Sequence, residues 1–189
     1  MIKDLKNFTS TMSVLKDLMD MSSDQSKINE TLGHLEEQMK NYRPKMNLSF
    51  VNKSDNPDPT YHYGSDSGFD LLSNQETTIP AGTRTIVSTG LFFDIPYGYE
   101  IQVRSKSGLA LNKGLFVLNS PGTVDSGYNG EIKVIIYNTS TMDINIHKGM
   151  KIAQAVVTPV VNGDSVSLNK VDDLTEKDRN SNGFGSTGI

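Results

Sequence analysis

The 189-residue chain contains no cysteine. That excludes a disulfide framework, Cys-ligated structural zinc and a cysteine nucleophile together. It also lacks an excess of basic residues: 18 Lys and Arg stand against 22 Asp and Glu, a formal net charge of −4. A nonspecific grip on a nucleic-acid backbone wants a basic surface, so no nucleic-acid partner is expected. No apolar run approaches the about 18 residues of a membrane span, and Met1-Ile2-Lys3-Asp4-Leu5 lacks the apolar stretch of a secretory signal. The expectation is a cytoplasmic protein with no membrane partner. The three histidines, His34, His62 and His147, sit in separate segments without metal-ligand spacing. Any phosphate handled here is therefore met by a few placed groups.

Residues 1–41 have no proline and a helical apolar rhythm. Leu5, Phe8, Met12, Leu15 and Met19 form one stripe; Ile28, Leu32, Leu35 and Met39 form another after the polar break Ser22-Ser23-Asp24. The pattern predicts a helical hairpin ending before Pro44, within an extension covering residues 1–44. Its stripes suit packing on itself, on its own globular domain, or on a partner or second copy.

From about Met46 the texture changes to short Val-, Ile-, Phe- and Tyr-rich runs fenced by Gly, Pro, Asn and Ser. Strands are expected over 46–52, 68–72, 83–88, 91–95, 99–104, 115–118, 131–137, 143–146 and 152–161, with a helical turn at 110–113. Many short, evenly spaced strands predict an all-β barrel or sandwich over residues 45–178. The segment 179–189 is polar and Gly-rich, and in isolation is expected to be a mobile tail or lid.

Three Gly/Ser-rich segments carry the chemistry. Arg104-Ser105-Lys106-Ser107-Gly108-Leu109-Ala110 supplies cations, hydroxyls and close backbone approach, which suits an oxyanion or, more plainly, a strand-to-helix turn. The run from Asn119 to Glu131 reads as a turn-dense connection with one carboxylate, Asp125, in a buried context. An Asp there either caps its own turn or, with a water held against it, acts as a general base. Asp70, in Ser67-Gly68-Phe69-Asp70-Leu71, is the other candidate carboxylate.

Taken in order, these segments resemble the five motifs of the trimeric dUTP diphosphatases (dUTPases). Ser67–Leu71 is similar to A-G-x-D-L, and Ser105–Ala110 to P-R-S-G-L-A. Leu118–Asp125 with Tyr128 and Gly130 resembles G-x-I-D-x-x-Y-x-G, and Gly149–Gln154 resembles G-x-R-I-A-Q. Arg179 with Gly183-Phe184-Gly185-Ser186-Thr187-Gly188 resembles the fifth. The resemblance implies a distorted β-barrel or jelly-roll subunit, a homotrimer with active sites at subunit contacts, and hydrolysis of dUTP to dUMP and pyrophosphate with Mg2+. Carried over, Asp125 deprotonates the attacking water, and Tyr128 lies under the deoxyribose where a 2′-hydroxyl would be. Asn119 and the backbone to Thr123 bond uracil, while Lys106, Ser107, Gly108 and Gln154 hold phosphates. Asp70 supports the metal's water shell or an interface polar network. Arg179, Phe184, Gly185, Ser186 and Thr187 form the closing tail, Phe184 stacking on uracil.

The chain departs from the pattern at Lys106 and Lys151, where the family has Arg, and at Ser105, where it has Pro. Lysine keeps the charge and loses the two-pronged donor. A dCTP deaminase shares the fold but places a catalytic Glu ten residues beyond the third-motif Asp, where this chain has Ile135. A catalytically idle trimer of the same fold, with regulation centred on residues 1–41, is the remaining alternative.

Overall fold

The computed structural model describes residues 46–178 and 180–181, with Asn29 and Gly33, both helical. Apart from those two positions, the expected helical hairpin lies outside the described residues, as do Arg179, Phe184, Gly185, Ser186 and Thr187. The chain divides into two units, residues 1–47 and 48–189. The second carries every described strand.

Those strands are β1 (Ser49–Asn52), β2 (Phe69–Leu72), β3 (Thr77–Ile79), β4 (Arg84–Ser88), β5 (Leu91–Asp94), β6 (Tyr99–Arg104), β7 (Leu115–Val117), β8 (Gly122–Asp125), β9 (Lys133–Asn138), β10 (Ile144–Ile146) and β11 (Lys151–Pro159). One short helix, α1 (Ser107–Lys113), follows β6. All pairings are antiparallel, in four small sheets ordered β1-β5, β10-β3, β2-β11-β6-β8 and β4-β9-β7. The all-β expectation holds.

Strict alternation makes the sheets one-sided. Ile101 and Val103 of β6, and Val134 and Ile136 of β9, face inward while their neighbours face out. With Leu71, Ile79, Val87, Phe93, Leu115 and Ile146 they form one core shared by all four sheets. Asn138 is the polar exception. Its Nδ2 donates to the carbonyls of Ile79 (2.9 Å) and Met142 (2.8 Å), and its Oδ1 accepts from the N–H and hydroxyl of Ser140. Satisfied in this way, a buried amide costs little and fixes the turn after β9.

Two strands differ from expectation. Thr77–Ile79 is too short to show alternation and is strand only because β10 pairs with it. Gly122–Asp125, read as part of a turn-dense connection, is a strand on the open edge of the central sheet, in register with Gln102 and its neighbours on β6. Its Gly and Asp are poor strand signals, and tertiary pairing overrides them. The helical turn expected at 110–113 begins earlier, at Ser107.

Deleting residues 1–44 is expected to leave a folded β domain, because the core is drawn entirely from residues 69–155. Thermal unfolding followed by circular dichroism measures it; loss of the cooperative transition would mean that the extension supports the domain.

Candidate active site

The central sheet positions the candidate residues. Across it, Asp70 on β2 stands opposite Gln154 on β11, and Gln154 opposite Arg104 on β6. Directly opposed antiparallel residues share a face, so these three form a row on the outer side. Lys106, Ser107 and Gly108 follow at the same end, where β6 turns into α1. Helix starts leave their first amides without intrahelical acceptors. Here the earliest acceptance is by the Lys106 carbonyl, from the N–H groups of Leu109 (3.1 Å) and Ala110 (3.0 Å).

Asp70 is the hub of this end. One carboxylate oxygen meets Lys106 Nζ and the other Lys151 Nζ at 2.8 Å. Partial burial pushes the Asp70 carboxyl upward, but hydrogen bonds and charge from the two lysines outweigh it and hold it below the usual value. The same contacts raise Lys151. Both Asp70 oxygens are thus engaged by lysines, and the carboxylate organises the cations at this end of the sheet.

The third segment builds the other end. Ser105 Oγ accepts from the Val117 N–H (2.9 Å) and donates to Ser120 Oγ (3.4 Å), holding the turn with Asn119 beside the start of α1. From there β8 runs antiparallel to β6, with Thr123 opposite Gln102 and Asp125 opposite Glu100. Thr123 and Asp125 therefore share the exposed face. They line a cleft of about 230 Å³ with Tyr128, Glu131 and Lys133. Asp125 is exposed, contrary to the buried context expected for it, because it closes an edge strand.

Tyr128 is set by local backbone. Its N–H donates to the Asp125 carbonyl (3.0 Å), and its hydroxyl donates to the Glu131 carbonyl (3.1 Å). The ring lies so close over Gly130 that any Cβ there would overlap it. This explains the Tyr-x-Gly spacing: glycine is the residue over which the ring fits.

The fold of the single chain therefore separates the candidates. Asp70, Lys106, Ser107, Gly108 and Gln154 gather at one end of β6. Asp125 sits beside Glu100, four residues from Arg104, or roughly 13 Å along the strand at the usual rise. Sequence reasoning left two participants unassigned. Lys151 was visible only as a departure from Arg, and Glu131 stood at the end of a quoted segment without a role. A carboxylate directly after the Tyr-x-Gly glycine was the available signal.

Solved structures place this fold first. The dUTPase of Staphylococcus bacteriophage 80alpha with dUPNHPP aligns with a TM-score of 0.70, covering 77% of this chain and 100% of that one at 22% identity. The dUTPase from phage phi11 of S. aureus aligns at 0.62, covering 68% and 98% at 20% identity. The architecture is that of a dUTPase subunit. Sequence goes further. The dUTPase family profile matches residues 54–188. A deoxyuridine 5′-triphosphate nucleotidohydrolase of Nautilia profundicola is 46% identical over 130 residues, 69% of this chain and 89% of that protein. That of Helicobacter hepaticus is 47% identical over 131 residues, 69% and 81%. The chain belongs to the dUTPase family.

Proposed function

We infer that this chain is a dUTP diphosphatase, hydrolysing dUTP to dUMP and pyrophosphate, and that it works as a homotrimer whose active sites are shared between subunits. The observation carrying the reading is the separation along β6. A general base at Asp125 and a phosphate cradle at Lys106–Gly108 and Gln154 belong to one reaction, yet lie at opposite ends of a strand within a subunit. A neighbouring copy that brings its cradle to this subunit's Asp125 makes the site whole.

In this reading Asp125 takes a proton from a water as the water oxygen attacks the α-phosphorus. The bond to the bridging oxygen breaks, and pyrophosphate leaves. Asn119 and the backbone to Thr123 bond the uracil edge. Selectivity follows from leaving buried groups unpaired with the wrong base. Tyr128 is the floor under deoxyribose. Ser107, the Gly108 amide, Lys106 and Gln154 bind phosphate oxygens.

Among the described residues no group of three or more acidic or histidine side chains could hold a metal. The donors present fit Mg2+ carried on the triphosphate oxygens with its own waters, which is how Mg2+ is commonly bound. Bound there, it neutralises charge developing on the phosphates. Asp70 is read as the organiser of Lys106 and Lys151. A cytoplasmic location is implied by the nucleotide substrate.

The test is pyrophosphate release from dUTP, dTTP, dCTP and UTP in turn, with and without Mg2+. Release from dUTP alone is expected; release from dTTP at a comparable rate would overturn the uracil assignment. Arg179, Phe184, Gly185, Ser186 and Thr187 are assigned to closing the site over base and γ-phosphate. Removing residues 180–189 is then expected to lower kcat by about 100-fold while changing KM far less, since closure completes the constellation. Equal losses in kcat and 1/KM, read from steady-state kinetics, would make the tail a binding element instead.

A further inference from the structure

Residues 130–132 are stitched to the β4–β5 connection. Glu131 Oε1 accepts from the Ser88 hydroxyl and from the Gly90 N–H at 2.8 Å. The Ile132 N–H donates to the Leu91 carbonyl (2.9 Å), and the buried Thr89 hydroxyl donates to the Ile132 carbonyl (2.6 Å). Thr89 Oγ1 also accepts from the Leu91 N–H at 3.1 Å. The turn that receives the carboxylate is itself constrained. Gly90 has φ +73°, and a Cβ on it would lie 2.8 Å from Ser54 Cβ and 2.9 Å from Ser54 N. Only glycine supplies an N–H in that position.

On the other side of this staple lies Tyr128. Tyr128 is 48% exposed, so packing alone does not fix its ring. What fixes it is backbone: the Gly130 surface beneath and the Glu131 carbonyl on its hydroxyl. Both belong to the segment that the Glu131 carboxylate anchors. Lys133 Nζ, 3.6 Å from Glu131 Oε2, is the remaining neighbour and is largely in solvent.

We propose that Glu131 is a positioning residue for sugar discrimination: its carboxylate clamps the Ser88–Gly90 turn to the backbone under Tyr128 and so sets the height of the ring. The proposal rests on the reading of Tyr128 as the deoxyribose floor. A ring free to drop would make room for a 2′-hydroxyl, and a ring held in place would not. Sugar selectivity would thus depend on a carboxylate whose own hydrogen bonds go to the Ser88–Gly90 turn.

The experiment uses the full chain and five variants: Glu131→Ala, Glu131→Gln, Ser88→Ala, Tyr128→Ala and Tyr128→Phe. Two quantities are read, the ratio of kcat/KM for dUTP over UTP, and the Tyr128 ring signal in 13C-tyrosine NMR, identified by its loss in Tyr128→Phe. Glu131→Ala is expected to shift the ring signal and lower the ratio by about tenfold or more. Glu131→Gln keeps an acceptor for both donors and is expected to stay within about threefold of the parent. An unmoved ring signal in Glu131→Ala overturns the proposal, as does a moved ring with unchanged selectivity when Tyr128→Ala loses it. If Tyr128→Ala also keeps selectivity, the sugar role of Tyr128 fails, while a moved ring still establishes the clamp. Should Glu131→Ala not fold, Ser88→Ala removes one of the two carboxylate bonds and is judged by the same readings.

Discussion

Asp125→Asn is expected to bind dUTP within about tenfold of the parent protein and to turn it over about 100- to 10,000-fold more slowly, the usual loss for a general base. The amide keeps the shape and an acceptor oxygen but cannot take the water's proton. Asp125 shares its cleft with Glu131, whose Oε1 is committed to Ser88 and Gly90, so no equivalent base stands ready to replace it. Single-turnover kinetics with saturating protein separates binding from chemistry; a near-parental rate constant would remove Asp125 from the role. The same variant tests the shared site. Refolded together with Lys106→Ala, it should recover activity that neither protein shows alone, because a mixed trimer contains contacts at which an intact Asp125 meets an intact Lys106. Additive residual activities would place both groups in one subunit's site.

Asp70→Asn is expected to lower kcat/KM by about 10- to 100-fold and stability by about 1–2 kcal/mol. The substitution turns an amide donor toward one of two ammonium groups and releases Lys106 from its tether. Lys106 and Asp70 side chains are only 28% and 26% exposed, so the pair is neither fully screened nor fully dry. The pH dependence has a definite sign. The Asp70 carboxyl titrates below its ordinary value of 3.8 in the folded protein. Its contribution is therefore complete above that value and disappears as pH falls through the lower, folded value. The stability difference between parent and variant, from urea unfolding at a series of pH values, should be constant near neutrality and shrink in the acid range. A difference that grew on acidification would mean that the lysines do not hold Asp70.

The functional segments were legible because they are local. Gly68-Phe69-Asp70-Leu71, Ser107-Gly108-Leu109-Ala110 and Gly149–Gln154 each combine residue types whose chemistry is evident within a few positions. The larger strands were legible for the same reason: β6 and β9 alternate inward Ile and Val with outward polar residues, and period two appears in any six-residue window. Where a strand had no such window, as in Thr77–Ile79, or was bounded by Gly and Asp, as in β8, only its partner made it one.

Composition and spacing by themselves determined that this chain makes an all-β domain, and the resemblance of its short motifs put a dUTPase's residues in a dUTPase's order. Only tertiary structure decided that Asp70 is engaged by lysines from the start of α1 and from β11, that Asp125 ends an exposed edge, and that Asp125 and Lys106–Gly108 lie at opposite ends of β6. It also decided that Glu131 reaches back 43 residues to Ser88. Residue identity sets what a side chain can do within its own turn or strand. Which distant donor meets which acceptor depends on strand register across four sheets, and register is chosen by burial of the whole core at once.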